Sequence, residues 1–210
     1  MKNLSGKLTT VLGLFLLVIN VLVHSSFSQS AELRDCTKKF SNCEVSEYTK
    51  IIEANQSDTV ALFNRGVAYQ RLRKLEESIA DFTRVIGLEP QFGAIHGFRG
   101  ASHSLNKDYD LAIADYGRAI EIAPTKASNY YSRGVAYSSK NEIDKAVADY
   151  GKAVELDPRD LLYRYTRGWT YYHVGNKVLA EADFKIAREL EKLEENADLV
   201  RLIHPTYPKY

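Results

Sequence analysis

Four Arg-Gly pairs, Arg65-Gly66, Arg99-Gly100, Arg133-Gly134 and Arg167-Gly168, stand 34 residues apart. Two further columns keep that period: Asp81-Phe82, Asp115-Tyr116, Asp149-Tyr150 and Asp183-Phe184, then Pro90, Pro124 and Pro158. A fixed period of this length requires one supersecondary unit stacked on copies of itself, each burying an apolar face it cannot bury alone. With the glycines as reference, the units run over 59–92, 93–126, 127–160 and 161–194. The second and third agree at 12 of 34 positions. Such an array presents a long surface and does not by itself build a reaction centre.

Each unit is helical twice over. In the first, Ala61, Leu62, Ala68, Tyr69 and Leu72 recur at helical spacings, and Ser78, Ile79, Phe82, Val85 and Ile86 repeat the pattern. Polar breaks at Arg73-Lys74, Asn106-Lys107-Asp108, Lys140-Asn141-Glu142 and Gly175-Asn176-Lys177 separate the two segments, and the column prolines mark the exits. Glycine inside a helix costs about 1 kcal/mol against Ala. Its recurrence at 66, 100, 134 and 168 therefore predicts a bulky neighbour lying against the backbone. Ser78, Ala112, Ala146 and Ala180 predict the same close approach from the second helix, with Phe82, Tyr116, Tyr150 and Phe184 filling the space between.

The order Gly, Tyr three later (Tyr69, Tyr137, Tyr171), Ala, aromatic, Ala and Pro resembles the tetratricopeptide repeat over residues 59–194. The resemblance implies an all-α solenoid of stacked antiparallel helix pairs, wound as a right-handed superhelix with a concave inner face. His103 departs from the Tyr column, and Lys192 stands where a fourth Pro would be. A last helix running on through Leu190 and Leu193 is the expectation, with 195–210 as a capping extension and tail.

A partial unit precedes the array over 29–58. Glu47-Tyr48-Thr49-Lys50-Ile51-Ile52 matches Asp81-Phe82-Thr83-Arg84-Val85-Ile86 at a shift of 34. The same shift puts a turn near Lys39–Ser41, between Cys36 and Cys43, the only cysteines. Residues seven apart on one helix are ~10.5 Å apart, too far for a disulfide, so a Cys36–Cys43 bridge requires that turn across Lys38–Asn42. The alternative is two unpaired thiols. Lys2 and Lys7, the apolar run Val11–Val23 and the small residues Ser25–Ser30 have the layout of a secretory signal. Cleavage after Ser28, or after Ser30, leaves an exported chain, periplasmic or secreted. The alternative, an uncleaved anchor, is the only reading that brings membrane contact, and it too leaves the repeats outside the cytoplasm. Asn55-Gln56-Ser57 is a glycosylation acceptor only within a eukaryotic secretory pathway.

The formal net charge is +1, and loss of Lys2 and Lys7 with residues 1–28 leaves −1. That balance gives no electrostatic basis for nucleic-acid binding. No nucleophile elbow, phosphate loop or metal-ligand spacing is present, so no cofactor is expected. His96 and His103 lie two turns apart, too far to share a metal ion. Arg65 and its equivalents reach Asp81 and its equivalents across each hairpin. Four copies of one pair point to structural ion pairs rather than a catalytic site.

In the family resembled, the first helix of each hairpin lines the groove. The corresponding positions in the first unit include Phe63, Val67, Gln70 and Arg71; in the third, Ser128, Tyr131 and Val135; in the fourth, Tyr165, Trp169, Tyr172 and His173. Those in the second, Ala94, Gly97, Ala101, Ser104 and Leu105, leave that stretch small-walled. The Lys, Arg and Asn clamp with which some family members hold a terminal carboxylate is replaced here by Phe63, Val67, Phe98, Ser128 and Ser132. An apolar or aromatic-rich peptide or helix suits this lining better. The expectation is a protein or peptide partner and an adaptor role without catalysis. The alternative is a structural subunit or scaffold that self-associates through its ends.

Overall fold

The computed structural model describes residues 39–194, and every regular element among them is an α-helix. Helix α1 covers residues 39–54. It is followed by α2 (Thr59–Arg71), α3 (Leu75–Leu88), α4 (Gly93–Leu105), α5 (Tyr109–Ile122), α6 (Ala127–Ser139), α7 (Ile143–Leu156), α8 (Leu161–His173) and α9 (Lys177–Glu194). The last eight form four hairpins, and each hairpin packs on the next. α1 docks its Tyr48 and Ile52 against Ala61, Leu62 and Phe82 at the start of the array.

Two kinds of turn alternate, and each has a local cause. Within a hairpin the first helix ends on a left-handed residue at one register: Arg73 (φ 61°), Lys107 (φ 68°), Asn141 (φ 62°) and Gly175 (φ 81°). The next residue's N–H then reaches back to a carbonyl five residues earlier, Lys74 to Tyr69, Asp108 to His103, Glu142 to Tyr137 and Asn176 to Tyr171, each at 2.9 Å. This is the Schellman closure, which satisfies carbonyls the helix leaves orphaned. Gly175 meets the left-handed geometry without a Cβ, whereas Arg73 and Lys107 bear its steric cost. Between hairpins, Glu89, Ala123 and Asp157 precede the column prolines and take φ values of −134°, −132° and −134°. A following proline forces that extended backbone and stops the helix. Lys192 imposes no such stop, and α9 is 18 residues long where α3, α5 and α7 are 14.

The core is a stack of glycine–aromatic contacts. A Cβ on Gly66 would lie 2.8 Å from Phe82 Cε1, one on Gly134 2.7 Å from Tyr150 Cε1, and one on Gly168 2.7 Å from Phe184 Cε1. Ser78, Ala112, Ala146 and Ala180 are buried on the facing helices. The missing side chains let the paired helices close on a flat ring, which raises buried apolar contact without leaving a void.

One expectation is corrected. Lys39–Asn42 do not turn; they are the first described residues of α1. No Gly or Pro interrupts 37–54, and Ser41 is buried, so nothing local breaks the helix there. Cys43 is an exposed thiol on α1. Cys36 lies outside the described residues, as do the signal segment and the tail 195–210.

Candidate functional site

The first helices of successive hairpins approach one another, α2 against α4 and α4 against α6, which puts them on the inner side of the curve. Their inward stripe forms a groove of changing character. At its start Phe63 stacks edge-on against Phe98 at 4.9 Å and tilts over Phe82 at 6.0 Å. Val67 packs half-buried beside them. Gln70 is held across the units by Ser102 Oγ at 3.1 Å, and Arg71 turns back to an ion pair with Glu44. Arg71 is thus committed to α1. At the far end Trp169 stacks on Tyr172 at 5.8 Å and meets His173 edge-on at 4.6 Å. Those three make a contiguous aromatic surface on α8.

The third unit is divided. Val135 remains exposed, but Tyr131 is wedged between Tyr150 and Tyr163 with ring centroids 5.8 and 5.0 Å away. Burial raises the Tyr131 phenol above its ordinary pKa. Tyr165, expected on the lining, is only 3% exposed: it packs on Phe184, and its hydroxyl lies 3.4 Å from Glu191 on α9. Burial, reinforced by Glu191, pushes its pKa up to about 12. Tyr165 therefore belongs to the core of the last hairpin, because the long α9 brings a carboxylate over it.

In the second unit the small residues open a cleft of about 240 Å³ between α4 and α6, walled by Ala94, Gly97, Ala101, Ser128 and Ser132. Asn129 and Tyr116 contribute to it from deeper positions, and Lys126 stands at the edge. Asn129 escapes the sequence pattern altogether. Its column of equivalents, Ala61, Ile95 and Tyr163, is buried and mostly apolar, and only the assembled fold shows that an amide there is out of place.

Behind the groove the Arg-Asp columns form four forked pairs. Arg65 grips Asp81 through Nε and Nη2 at 2.7 Å each; Arg99 grips Asp115 at 2.8 and 2.7 Å, Arg133 Asp149 at 2.8 Å twice, and Arg167 Asp183 at 2.8 and 2.6 Å. The carboxylate bond raises the pKa of Arg65, Arg133 and Arg167. Each fork joins the two helices of one hairpin, and two of the arginines also bond to the helix before it. Arg65 Nη1 donates to Thr49 and Arg99 Nη1 to Thr83, both at 3.1 Å, while Arg133 and Arg167 pass over Gly117 and Gly151. The same fork in every unit makes these the struts within each hairpin. The second unit adds two imidazoles, which spacing alone separates. His96 Nδ1 lies 3.5 Å and His103 Nε2 3.9 Å from Asp115.

Family models described as tetratricopeptide repeat match residues 60–92 and 127–160, and one described as TPR repeat matches 103–141. No curated protein gives a significant match. Among solved structures, a crystal structure of MamA is similar with a TM-score of 0.69 at 24% identity, covering 72% of this chain and 88% of that one. YrrB, described as a TPR protein with an unusual peptide-binding site, is similar at 0.64 and 18% identity, with 80% and 85% covered. The first TPR of Spaghetti (RPAP3), bound to the HSP90 peptide SRMEEVD, is similar at 0.53 and 20% identity, with 55% and 92% covered. At such identities the likeness is one of fold. Helical hairpins at a 34-residue period, glycine–aromatic packing in each, and three matching family models together make this chain a tetratricopeptide-repeat protein.

Proposed function

We propose that the chain is an extracytoplasmic interaction adaptor that holds a segment of a partner protein in its inner groove and carries out no catalysis. The observation behind this is the lining itself. Phe98 and Val135 are each 37% exposed on the inner stripe, with the Trp169–Tyr172–His173 surface beyond them. Apolar and aromatic anchors with a polar surround are what a peptide or amphipathic helix binds. That YrrB is described by a peptide-binding site and the RPAP3 repeat is bound to a peptide supports the same use of the groove here. The extracytoplasmic placement rests on the leader-like residues Lys2 to Ser28.

The test is capture from the extracytoplasmic fraction by the chain and by a Phe98→Glu/Val135→Glu variant of equal helicity. Both positions are exposed enough to take a charge without burying it. Proteins held by the parent and lost by the variant support the groove, whereas equal capture by both rejects it. Mass spectrometry of the exported chain checks the placement: a mature terminus at Gln29 or Ala31 supports it, and retention inside the cell overturns it. The second reading, self-assembly through the array's ends, draws on Val178 and Leu179, exposed apolar residues of α9. A monomer at all concentrations by sedimentation would remove that reading.

A further inference from the structure

Two residues break the columns of the array, and they break them at the same place. Three positions before the column glycine stand Phe63, Tyr131 and Tyr165, but Gly97 in the second unit. Five positions before it stand Ala61, Ile95 and Tyr163, but Asn129 in the third. The missing ring and the added amide face each other: a Cβ on Gly97 would lie 3.3 Å from Asn129 Oδ1. The α4–α6 cleft is the space that this exchange creates.

The chemistry of the cleft is one-sided. Asn129 is only 8% exposed, lines the cleft, and has no hydrogen bond from its carboxamide to any described residue. Its amide N and O are not sealed from solvent; they open into the cleft, where water or a ligand can pair them. Lys126 stands exposed at the edge with no ion pair among the described residues. No Asp or Glu lines the cleft, while Ser128 and Ser132 add hydroxyls to the wall. The Asn129 amide, the Ser128 hydroxyl and one positive charge therefore converge on a space large enough for a single side chain, while Ser132 is already bonded to Tyr116.

We infer that this cleft is a socket for one carboxylate side chain, Glu or Asp, projecting from a peptide laid along the groove. Asn129 Nδ2 donates to the carboxylate, Lys126 supplies the opposite charge, and Gly97 keeps the entrance open. Phe63 and Phe98 on one side and Val135 on the other take the apolar residues that flank the acid. This rests on the groove reading and specifies its ligand. Selectivity here comes from Lys126, whose charge an acid pairs and a neutral side chain does not, although either can accept from Asn129 Nδ2.

The experiment is selection of random dodecapeptides displayed with their C-termini fused to the carrier, so that any carboxylate recognised belongs to a side chain. The selected peptides should share one Glu or Asp between apolar or aromatic residues. Changing that residue to Gln should weaken binding about ten-fold or more. Lys126→Gln should erase the preference for the Glu peptide over its Gln counterpart, and Asn129→Leu should weaken the binding of both. Selected peptides without an acidic residue overturn the socket and leave the groove standing. So does a preference that survives Lys126→Gln, or binding of both peptides that Asn129→Leu leaves unchanged. If no peptide is enriched at all, the groove reading falls and the socket with it.

Discussion

A methyl group on Gly134 would lie 2.7 Å from Tyr150 Cε1 and 3.2 Å from the Ala146 carbonyl oxygen. The ring is pinned by Tyr131, and the carbonyl belongs to the facing helix, so neither can yield cheaply. Gly134→Ala gains about 1 kcal/mol of helix propensity but should still lower stability by about 1–3 kcal/mol through overpacking. Gly117 is the contrasting case. It lies mid-helix with Arg133 Nη1 at 3.9 Å as its nearest neighbour, so Gly117→Ala should be neutral or stabilising by up to about 1 kcal/mol. Thermal melts of the two variants decide between crowding and propensity. The crowded glycines are legible in the sequence because they recur. Gly97 and Asn129 are not, since a departure from a column has meaning only once the column is known to be buried.

Between elements, the forked arginines tie the two helices of each hairpin together. Asp149 is 9% exposed at its side chain and Arg133 23%. Arg133→Met leaves the carboxylate buried without its partner and should cost about 2–3 kcal/mol, less than a fully buried broken pair because solvent still reaches the guanidinium. Arg133→Met with Asp149→Leu should recover most of that loss. Urea titration of the single and double variants measures the difference. A double variant no better than the single would mean that the arginine acts through its contact over Gly117, not through the carboxylate. The hairpins themselves can be read from periodicity, because two amphipathic stripes and a proline leave little choice. The helical course of Lys39–Asn42 cannot, since the repeat shift places a break there and nothing in that stretch's own sequence decides against it.

At the scale of the whole molecule, the tyrosines set an alkaline limit. Burial raises the phenol pKa of Tyr116, Tyr131, Tyr150, Tyr163 and Tyr165 above the ordinary value of 10.0, Tyr165 to about 12. Above pH 10 the unfolded chain loses these protons while the folded chain keeps them, so the unfolded state binds fewer protons and stability falls as pH rises. The stabilisation is complete below pH 10 and is lost as the pH climbs through the folded values. Melting temperature followed from pH 8 to 12, alongside tyrosinate absorbance, should show unfolding and late ionisation together; early ionisation without unfolding would contradict it.

Among the described residues each hairpin packs mainly on its sequence neighbours. An array so connected behaves mechanically as a spring. Drawn apart from its termini, it would first lengthen by flexing at the junctions between hairpins, with every helix intact. It would then yield in steps, one 34-residue unit at a time, each releasing about 120 Å of extended chain.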